Sequence, residues 1–298
     1  MTTPFIVGAY AALPEKRSDQ EEFYRLLGQT GWTDGCEIPY IFSLHSDIPW
    51  LAQQLAQNGL HQSVVTCIGG MMQTCAKDPD FGLASPDDAA RERTLTYYRT
   101  VLDSIDQLNS AAGRQVVFAL EVHSAPVGLA QAEAFTHSLA QVKAMCTAAG
   151  LTTVIEHCDA ANTTYPGEKR FLTLAEEIGA AQAAGVNITV NWGRSVVETH
   201  DATTPQTHLE SLVDQNLLGG IMFSGAGAGE TRYGPDWGDA HLPLSTDEPK
   251  SWMTPARVAS CWQIAQGHEL YKGVKIQTPR IDNAESIQMI SRIYAAMH

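Results

Sequence analysis

The feature that most constrains the fold of this chain is a regular alternation of short β-rich runs with longer segments of helical periodicity. Eight such strand-then-helix units follow one another along the 298 residues, and the last helix spans about 283–297. The predicted strands are residues 5–10, 36–42, 62–68, 115–122, 152–157, 187–191, 219–223 and 273–277. Eight units in a chain of this length predict a (β/α)8 TIM barrel, whose closed sheet has no free edge.

An open, doubly wound sheet is the alternative fold. Such a sheet usually has fewer strands and often carries a glycine-rich turn after its first strand. The corresponding segment here is Ala9-Tyr10-Ala11-Ala12, which is no such turn. No low-complexity tract, charge run or linker interrupts the chain. The sequence therefore predicts one TIM-barrel domain over residues 1–298.

The helices between the strands have recognisable start signals. Ser18 followed by Glu21 predicts a capping box, in which a hydroxyl and a carboxylate each accept a backbone N–H. A capping hydroxyl followed by proline occurs at Ser85-Pro86, Thr204-Pro205 and Thr254-Pro255. Proline at the first helical position is favourable because its missing N–H would have no partner there.

Composition argues against several classes of protein. The 33 acidic and 19 basic residues give a net charge of −14, and nucleic-acid binders need clustered Lys and Arg. No run approaches the roughly 18 apolar residues of a membrane span, and residues 1–16 lack a signal peptide's basic region. The six cysteines are scattered, which predicts reduced thiols in a cytosol. We therefore expect a cytoplasmic protein without nucleic-acid or membrane partners.

Polar side chains gather at the ends of the predicted strands, where a TIM barrel builds its active site. On the fourth strand, alternation places Glu121 and His123 on the face that points into the barrel. The fifth strand ends with Glu156, and a buried carboxylate is costly unless it meets a cation, a donor or a substrate hydroxyl. Glu156 is therefore the strongest functional candidate, and a salt bridge to Arg194 or Arg280 is its structural alternative.

The later strands and loops supply further candidates. They are Asn191, Trp192 and Arg194 after the sixth strand, Trp237, Asp239 and His241 in the glycine-rich segment 225–244, and Gln277 and Arg280 after the eighth strand. The run from Gly225 to Glu230 has two interpretations, a lid with glycine hinges or a phosphate-binding loop. The lid is favoured, because the run lacks the lysine of a P-loop and Glu230 would repel phosphate.

Four of these segments resemble the xylose isomerase-like TIM barrels, a family of sugar isomerases, epimerases and endonuclease IV. Residues 117–123 resemble that family's strand ending in a metal-binding histidine, and residues 154–157 its strand with a bridging glutamate. Asp239-Ala-His241 resembles the D-x-H pair in the loop after strand seven, and residues 275–279 the (I/L)-E-T-P end of strand eight. The resemblance implies a TIM barrel that acts on carbohydrates.

The chain departs from the family pattern at the metal ligands, which hold Mn, Mg, Co or Zn in relatives. Asn191 and Arg194 stand where relatives have Asp and His, Ser224 stands for a His, and Gln277 for a Glu. One charge pair at 4 Å is worth roughly 4 kcal/mol at an effective dielectric of 20, so these changes weaken a divalent site. We therefore expect the divalent site of the family to be weak or absent here, and the sequence assigns no cofactor to the chain. The alternative is a displaced divalent ion (Mn, Mg or Zn) held by His123, Glu156, Asp239 and His241.

The leading functional prediction is a sugar isomerase- or epimerase-like enzyme with weak or altered metal dependence. Glu156 would remove a proton next to a carbonyl, and His123 or His241 would return one or polarise the oxygen. The expected substrate-binding residues are Glu121, Asn191, Trp192, Arg194, Trp237, Asp239, Gln277 and Arg280.

The sequence does not determine which carbohydrate the protein binds, and two other functions compete with the leading one. A small carbohydrate or a sugar acid is the expected partner, phosphorylated or not, and the resemblance is compatible with a homo-oligomer. The alternative functions are a non-catalytic sugar-binding barrel and a metal-dependent phosphodiesterase like endonuclease IV.

Overall fold

The computed structural model describes residues 3–161 and 164–298, in which parallel strands form a closed barrel. The strands are β1 (Phe5–Val7), β2 (Gly35–Pro39), β3 (Ser63–Thr66), β4 (Val117–Val122), β5 (Thr152–His157), β6 (Asn187–Asn191), β7 (Leu218–Phe223) and β8 (Tyr271–Val274). Each strand pairs with its neighbours in the sequence, and β8 pairs with β1. This is the predicted (β/α)8 TIM barrel, and its closure excludes the open-sheet alternative.

Helices surround the barrel and connect successive strands. They are α1 (Arg17–Gln29), α2 (Ile48–Gln57), α3 (Ile68–Cys75), α4 (Asp88–Ala112), α5 (Ala132–Ala148), α6 (Leu174–Ala184), α7 (Trp192–Thr199), α8 (Thr204–Asp214), α9 (Pro255–Ala265) and α10 (Asn283–Ala296). Among the described residues, two α-helices follow β3, two follow β6 and one follows each remaining strand, and a short 3-10 helix (Ala9–Ala11) precedes α1. Within the described ranges, none of these helices has the length and hydropathy needed to cross a membrane.

Inward-facing residues of alternate strands fill the barrel. One buried apolar cluster consists of Ile6, Val64, Ala119, Val154, Met222 and Tyr271. The Tyr271 hydroxyl donates to Glu121 at 2.5 Å and lies 2.6 Å from the hydroxyl of Thr189. Glu121 and Ala119 therefore share the inward face of β4, as the alternation predicted.

Strand β8 lies two to three residues earlier than predicted. The sequence pattern indicated residues 273–277, but the strand ends at Val274, which pairs with Val7 of the short strand β1. The β-rich sequence pattern continues beyond Val274, so hydropathy alone does not show where the backbone pairing of β8 ends. As a consequence, Lys275 reaches into the barrel and Gln277 lies beyond it.

The helix starts agree with the sequence signals only in part. Thr254 caps α9 by accepting the backbone N–H of Arg257, as predicted. The capping box expected at Ser18 is absent, since α1 begins at Arg17 after Lys16. Helix α6 instead carries a complete capping box. The other two proline signals also shift by a residue or two: Asp87 caps α4 and Thr203 precedes α8.

Candidate active site

Glu156 occupies the centre of a buried hydrogen-bond network at the end of β5. Its Oε2 accepts from the hydroxyl of Thr66 at 2.9 Å and from Nε2 of His123 at 2.8 Å. Its Oε1 contacts Nη1 of Arg194 at 2.6 Å and Nζ of Lys275 at 3.1 Å. Glu156 points inward, as predicted, but has no exposed surface. Both of its oxygens are thus saturated with donors.

Cationic and anionic side chains alternate through this region. Lys275 also binds Glu37 at 2.9 Å, so its ammonium joins two carboxylates. Arg194 extends from Glu156 to Asp239, which its Nε contacts at 2.9 Å. Lys169 approaches the same Asp239 oxygen at 2.9 Å. The three cations balance the three carboxylates, because buried charges are tolerated when they are paired and hydrogen-bonded.

The network fixes the protonation states of its members. Burial alone would raise the pKa of Glu156, but Arg194 and Lys275 hold it well below the usual value. Burial lowers the pKa of His123, against the opposing effect of Glu156, and favours a neutral imidazole. Burial, with the nearby Glu156 and Glu37, raises the pKa of Glu121 well above its usual value. Glu121 is therefore best described as a protonated acid that accepts a hydrogen bond from the Tyr271 hydroxyl.

A cavity of about 280 Å³ opens above this network at the carboxyl ends of the strands. Its polar lining comes from side chains of five different segments of the chain. They are Tyr10, Thr66, Glu168, Lys169, Arg194, Asp239 and His241, and the apolar wall comes from Pro39, Ile41, Ile68, Gly69 and Met72. The cavity has the size and mixed lining of a small-molecule site.

His241 is held in a defined orientation at the edge of the cavity. Its Nδ1 lies 2.8 Å from the hydroxyl of Ser224 and 3.3 Å from Oδ1 of Asp239. Its side chain is 15% exposed, whereas Glu156 and His123 have none. The rings of Tyr10 and His241 are nearly perpendicular, with centroids 6.4 Å apart. With Nδ1 engaged by these partners, Nε2 is the nitrogen available for proton transfer.

Comparison with known proteins identifies the family. The chain matches the family described as Domain of unknown function (DUF4862) over residues 6–289. It belongs to the DUF4862 family. Uncharacterized protein STM3670 of Salmonella typhimurium (strain LT2) is 33% identical over 285 residues, covering 92% of this chain and 89% of the relative.

Solved structures with a similar fold include a xylose isomerase domain protein and sugar epimerases. A xylose isomerase domain containing protein from Salmonella typhimurium LT2 has a TM-score of 0.64 at 13% identity, covering 99% of this chain and 97% of that one. A D-tagatose 3-epimerase-like protein also has a TM-score of 0.64 at 13% identity, covering 99% and 98%. These similarities agree with the predicted TIM-barrel fold of this DUF4862 member.

The predicted site residues separate into two layers. Arg194, Asp239 and His241 line the cavity, as expected for residues that contact a ligand. Glu156 and His123 lie together below it, and Glu121 lies with Tyr271 in the barrel interior. The contacts of Glu156 are two cations, a histidine and a threonine, and its ion pair with Arg194 is the salt bridge given above as its structural alternative.

Two of the residues expected to bind substrate have structural roles at the start of α7. Asn191 caps this helix, because its side-chain oxygen accepts the backbone N–H of Arg194. Trp192 is the first residue of α7 and is completely buried in the core, so it offers no face to a sugar. The sequence pattern correctly predicted both residues at the end of β6, but it did not indicate that α7 begins at the very next residue after the strand.

Three further predicted residues lie outside the cavity. Gln277 donates from Nε2 to the carbonyls of Tyr233 and Ala240 and tethers the loop after β7. Arg280 donates to the carbonyl of Ala11. Trp237 stacks on the ring of His200 at 3.6 Å and borders a neighbouring surface pocket.

The glycine-rich run after β7 makes close backbone contacts. Gly225 exchanges backbone hydrogen bonds with Leu242, and the carbonyl of Ala226 accepts from Trp252. A Cβ at Gly227 would lie 2.0 Å from the carbonyl oxygen of Lys250. The glycines are thus needed where two chain segments touch, and the lid interpretation stays a prediction.

Sequence reasoning missed several members of the site. Tyr10 follows β1, Glu37 lies in β2 and Thr66 ends β3, so the carboxyl-end rule would have found them had the first three strands been searched. Lys275 follows β8 directly and was hidden by the shifted strand prediction. Lys169 comes from the segment between β5 and α6 and had no recognisable signal.

The residues at the cavity do not fit a metal of the kind found in related barrels. Glu37, Glu121 and Glu156 bring oxygens within 4.8 Å of one another, but the ammonium of Lys275 binds two of these carboxylates. The side-chain oxygen of Asn191 is occupied by its helix, and Arg194 adds a second buried cation beside Glu156. Among the described residues, no three of His123, Glu156, Asp239 and His241 form a compact ligand group.

Proposed function

We propose that this DUF4862 member is a carbohydrate-processing enzyme that moves a proton next to a carbonyl, as sugar isomerases and epimerases do. The observation that carries the proposal is His241, an oriented and partly exposed imidazole beside cationic side chains in a small polar cavity. The similarity in fold to a D-tagatose 3-epimerase-like protein supports a sugar as the substrate class.

In this proposal His241 replaces Glu156 as the proton acceptor. Glu156 is fully buried and its pKa is held low by two cations, so it is a weak base without access to substrate. Its role is to hold Arg194 and Lys275 in position. His241 removes the proton from the carbon next to the carbonyl, and its contact with Asp239 stabilises the imidazolium that forms.

Hydrogen-bond donors that line the cavity stabilise the negative charge that develops on the substrate oxygen. Arg194 and Lys169 line the cavity and remain charged, because Asp239 holds both of them. Burial, reinforced by Glu37, raises the pKa of Tyr10 well above its usual value, so its phenol stays a hydrogen-bond donor. Preorganised donors of this kind stabilise an enediolate without reorganisation. No divalent metal takes part in these steps.

The test is proton exchange at carbon in heavy water. Purified protein is incubated with a panel of aldo- and keto-sugars and sugar acids, and deuterium incorporation next to the carbonyl is followed by NMR. We expect exchange that survives chelator treatment and falls about 100-fold or more in His241→Asn. Glu156→Gln separates the two bases: if exchange is lost in Glu156→Gln but retained in His241→Asn, while both variants fold and bind sugar, Glu156 is the base and the present assignment is wrong.

A non-catalytic sugar-binding barrel is the second candidate. It is favoured by the donor-saturated carboxylate at Glu156, which leaves the bottom of the cavity without a free base. It predicts sugar-dependent thermal stabilisation with no exchange in the wild-type protein. Exchange at any sugar carbon would exclude it.

A further inference from the structure

A second cluster of ionisable side chains lies on the opposite side of β5 from the cavity. His157, the last residue of β5, is buried, and its Nδ1 lies 2.6 Å from a carboxylate oxygen of Glu177 in α6. Its Nε2 lies 3.1 Å from Glu198 in α7. The ring of His208 in α8 is nearly perpendicular to that of His157, with 5.0 Å between centroids. The cluster thus joins one strand to three helices.

The distances in this cluster suit a tetrahedral metal ion. One ligand atom from each of His157, Glu198 and His208 lies within 4.8 Å of the others. Zinc bonds of about 2.0–2.1 Å place neighbouring ligand atoms of a tetrahedron about 3.3 Å apart. The separation between His157 and Glu198 is already close to this value, and a small rotation of the partly exposed His208 closes the rest.

The surroundings of the two histidines are those of metal ligands. Glu177 engages Nδ1 of His157, and Ser195 lies 3.0 Å from Nδ1 of His208. A partner on the second ring nitrogen orients the imidazole and makes it a better ligand. The hydroxyl of Ser124 in turn donates to Glu177 at 2.5 Å. The second ring nitrogen therefore has a partner in both histidines.

Charge distinguishes this cluster from the network around Glu156. In the described part of the chain, Glu177 and Glu198 form ion pairs with His157 and with no lysine or arginine, so once His157 gives up a proton to bind the ion, both carboxylates balance the dication. Glu156, by contrast, already binds two cationic side chains. Two histidines and a carboxylate form a donor set that zinc prefers, with a fourth position left for water.

We propose that His157, Glu198 and His208 form a zinc site that fastens α7 and α8 to β5 behind the cavity. Glu198 and His208 are partly exposed, which gives the ion a path from solvent. The site is one residue along β5 from Glu156 and on the same helix as Arg194. Zinc there stabilises the elements that carry the cavity's central ion pair, without contacting the substrate.

The experiment measures zinc binding by untagged full-length protein stripped with chelator. Zinc alone is titrated near neutral pH in competition with a chromophoric chelator, and bound metal is counted after gel filtration. We expect one zinc per chain and a higher melting temperature in its presence. His208→Ala and Glu198→Gln lower the affinity by more than 10-fold, and Ser195→Ala lowers it by about 10-fold.

Two controls keep the result specific. His137→Ala removes an exposed histidine of α5, and His241→Ala removes the histidine of the cavity. Both variants are expected to bind one zinc per chain, as the wild-type protein does. The proposal is overturned if the wild-type protein binds no stoichiometric zinc. It is equally overturned if zinc is lost in His241→Ala but kept in His208→Ala, since the ion would then lie at the cavity.

Discussion

Lys275 carries its charge with no exposed surface, between the carboxylates of Glu37 and Glu156. Its pKa is raised well above the usual value, because these two carboxylates outweigh the effect of burial. Lys275→Met keeps most of the side-chain volume but leaves both carboxylates without this partner. We expect a loss of about 3–5 kcal/mol in unfolding free energy, measured by denaturant titration.

Lys272, three residues earlier and within β8, provides the matched control. It lies over the ring of Trp262 at 4.6 Å and is only partly buried, so Lys272→Met is expected to cost at most about 1 kcal/mol. Adding Glu37→Gln to Lys275→Met should recover part of the lost stability, because one unpaired charge is then removed. Equal losses in the two lysine variants would contradict the pairing described here.

At this scale the sequence predicted side chains well where strand alternation decides their direction. Glu121, His123 and Glu156 all face inward, as expected. The ion pair with Arg194 was given as the alternative role of Glu156, but the second cation, Lys275, was not predicted, because it comes from residue 275, far along the chain. Such pairing depends on how the barrel closes, which no local pattern contains.

Some features of the secondary-structure elements depend only on residues close in sequence, and helix caps are the clearest example. Helix α6 carries a capping box, in which Thr173 accepts the N–H of Glu176 and the Glu176 carboxylate accepts that of Thr173. Thr203 occupies the same position before α8 without a capping hydrogen bond from its side chain. Thr173→Ala should therefore destabilise the protein by about 1 kcal/mol.

Thr203→Ala tests whether this cost arises from the cap. Its expected effect is within about 0.5 kcal/mol, because no helical N–H loses its partner. Thermal or denaturant unfolding of both variants gives the comparison. If the two substitutions cost the same, the capping contact of Thr173 contributes nothing measurable.

The elements also show why helix starts and strand ends were predicted less well than the elements themselves. Ser18 has the sequence of a capping box, yet α1 begins one residue earlier and its hydroxyl contacts Asp19. Strand β8 ends where β1, only three residues long, ceases to pair with it. Periodicity identifies an element, whereas its ends depend on neighbours that are distant in sequence.

For the whole molecule, the alternation of eight units was sufficient to predict the barrel, because parallel strands with helical crossovers have few ways to close. The same closure buries all six cysteines, which are free thiols in the structure. None of them had a pattern that indicated its position. Their burial is a property of the complete barrel, and this makes them reporters of its unfolding.

We expect the native protein to react with a thiol reagent only through unfolding. Burial raises the pKa of each thiol, that of Cys36 and Cys261 to about 12 and that of Cys75 to about 11, so the reactive thiolate is scarce as well as inaccessible. Reaction kinetics are measured across a denaturant series and compared with circular dichroism. All six thiols should become reactive in the same transition as the loss of helical signal, because they lie in one barrel. A thiol that reacts quickly without denaturant would contradict this expectation. The Sγ of Cys75 donates to the carbonyl of Phe81 at 3.1 Å, so fast reaction of Cys75 would indicate local opening of α3.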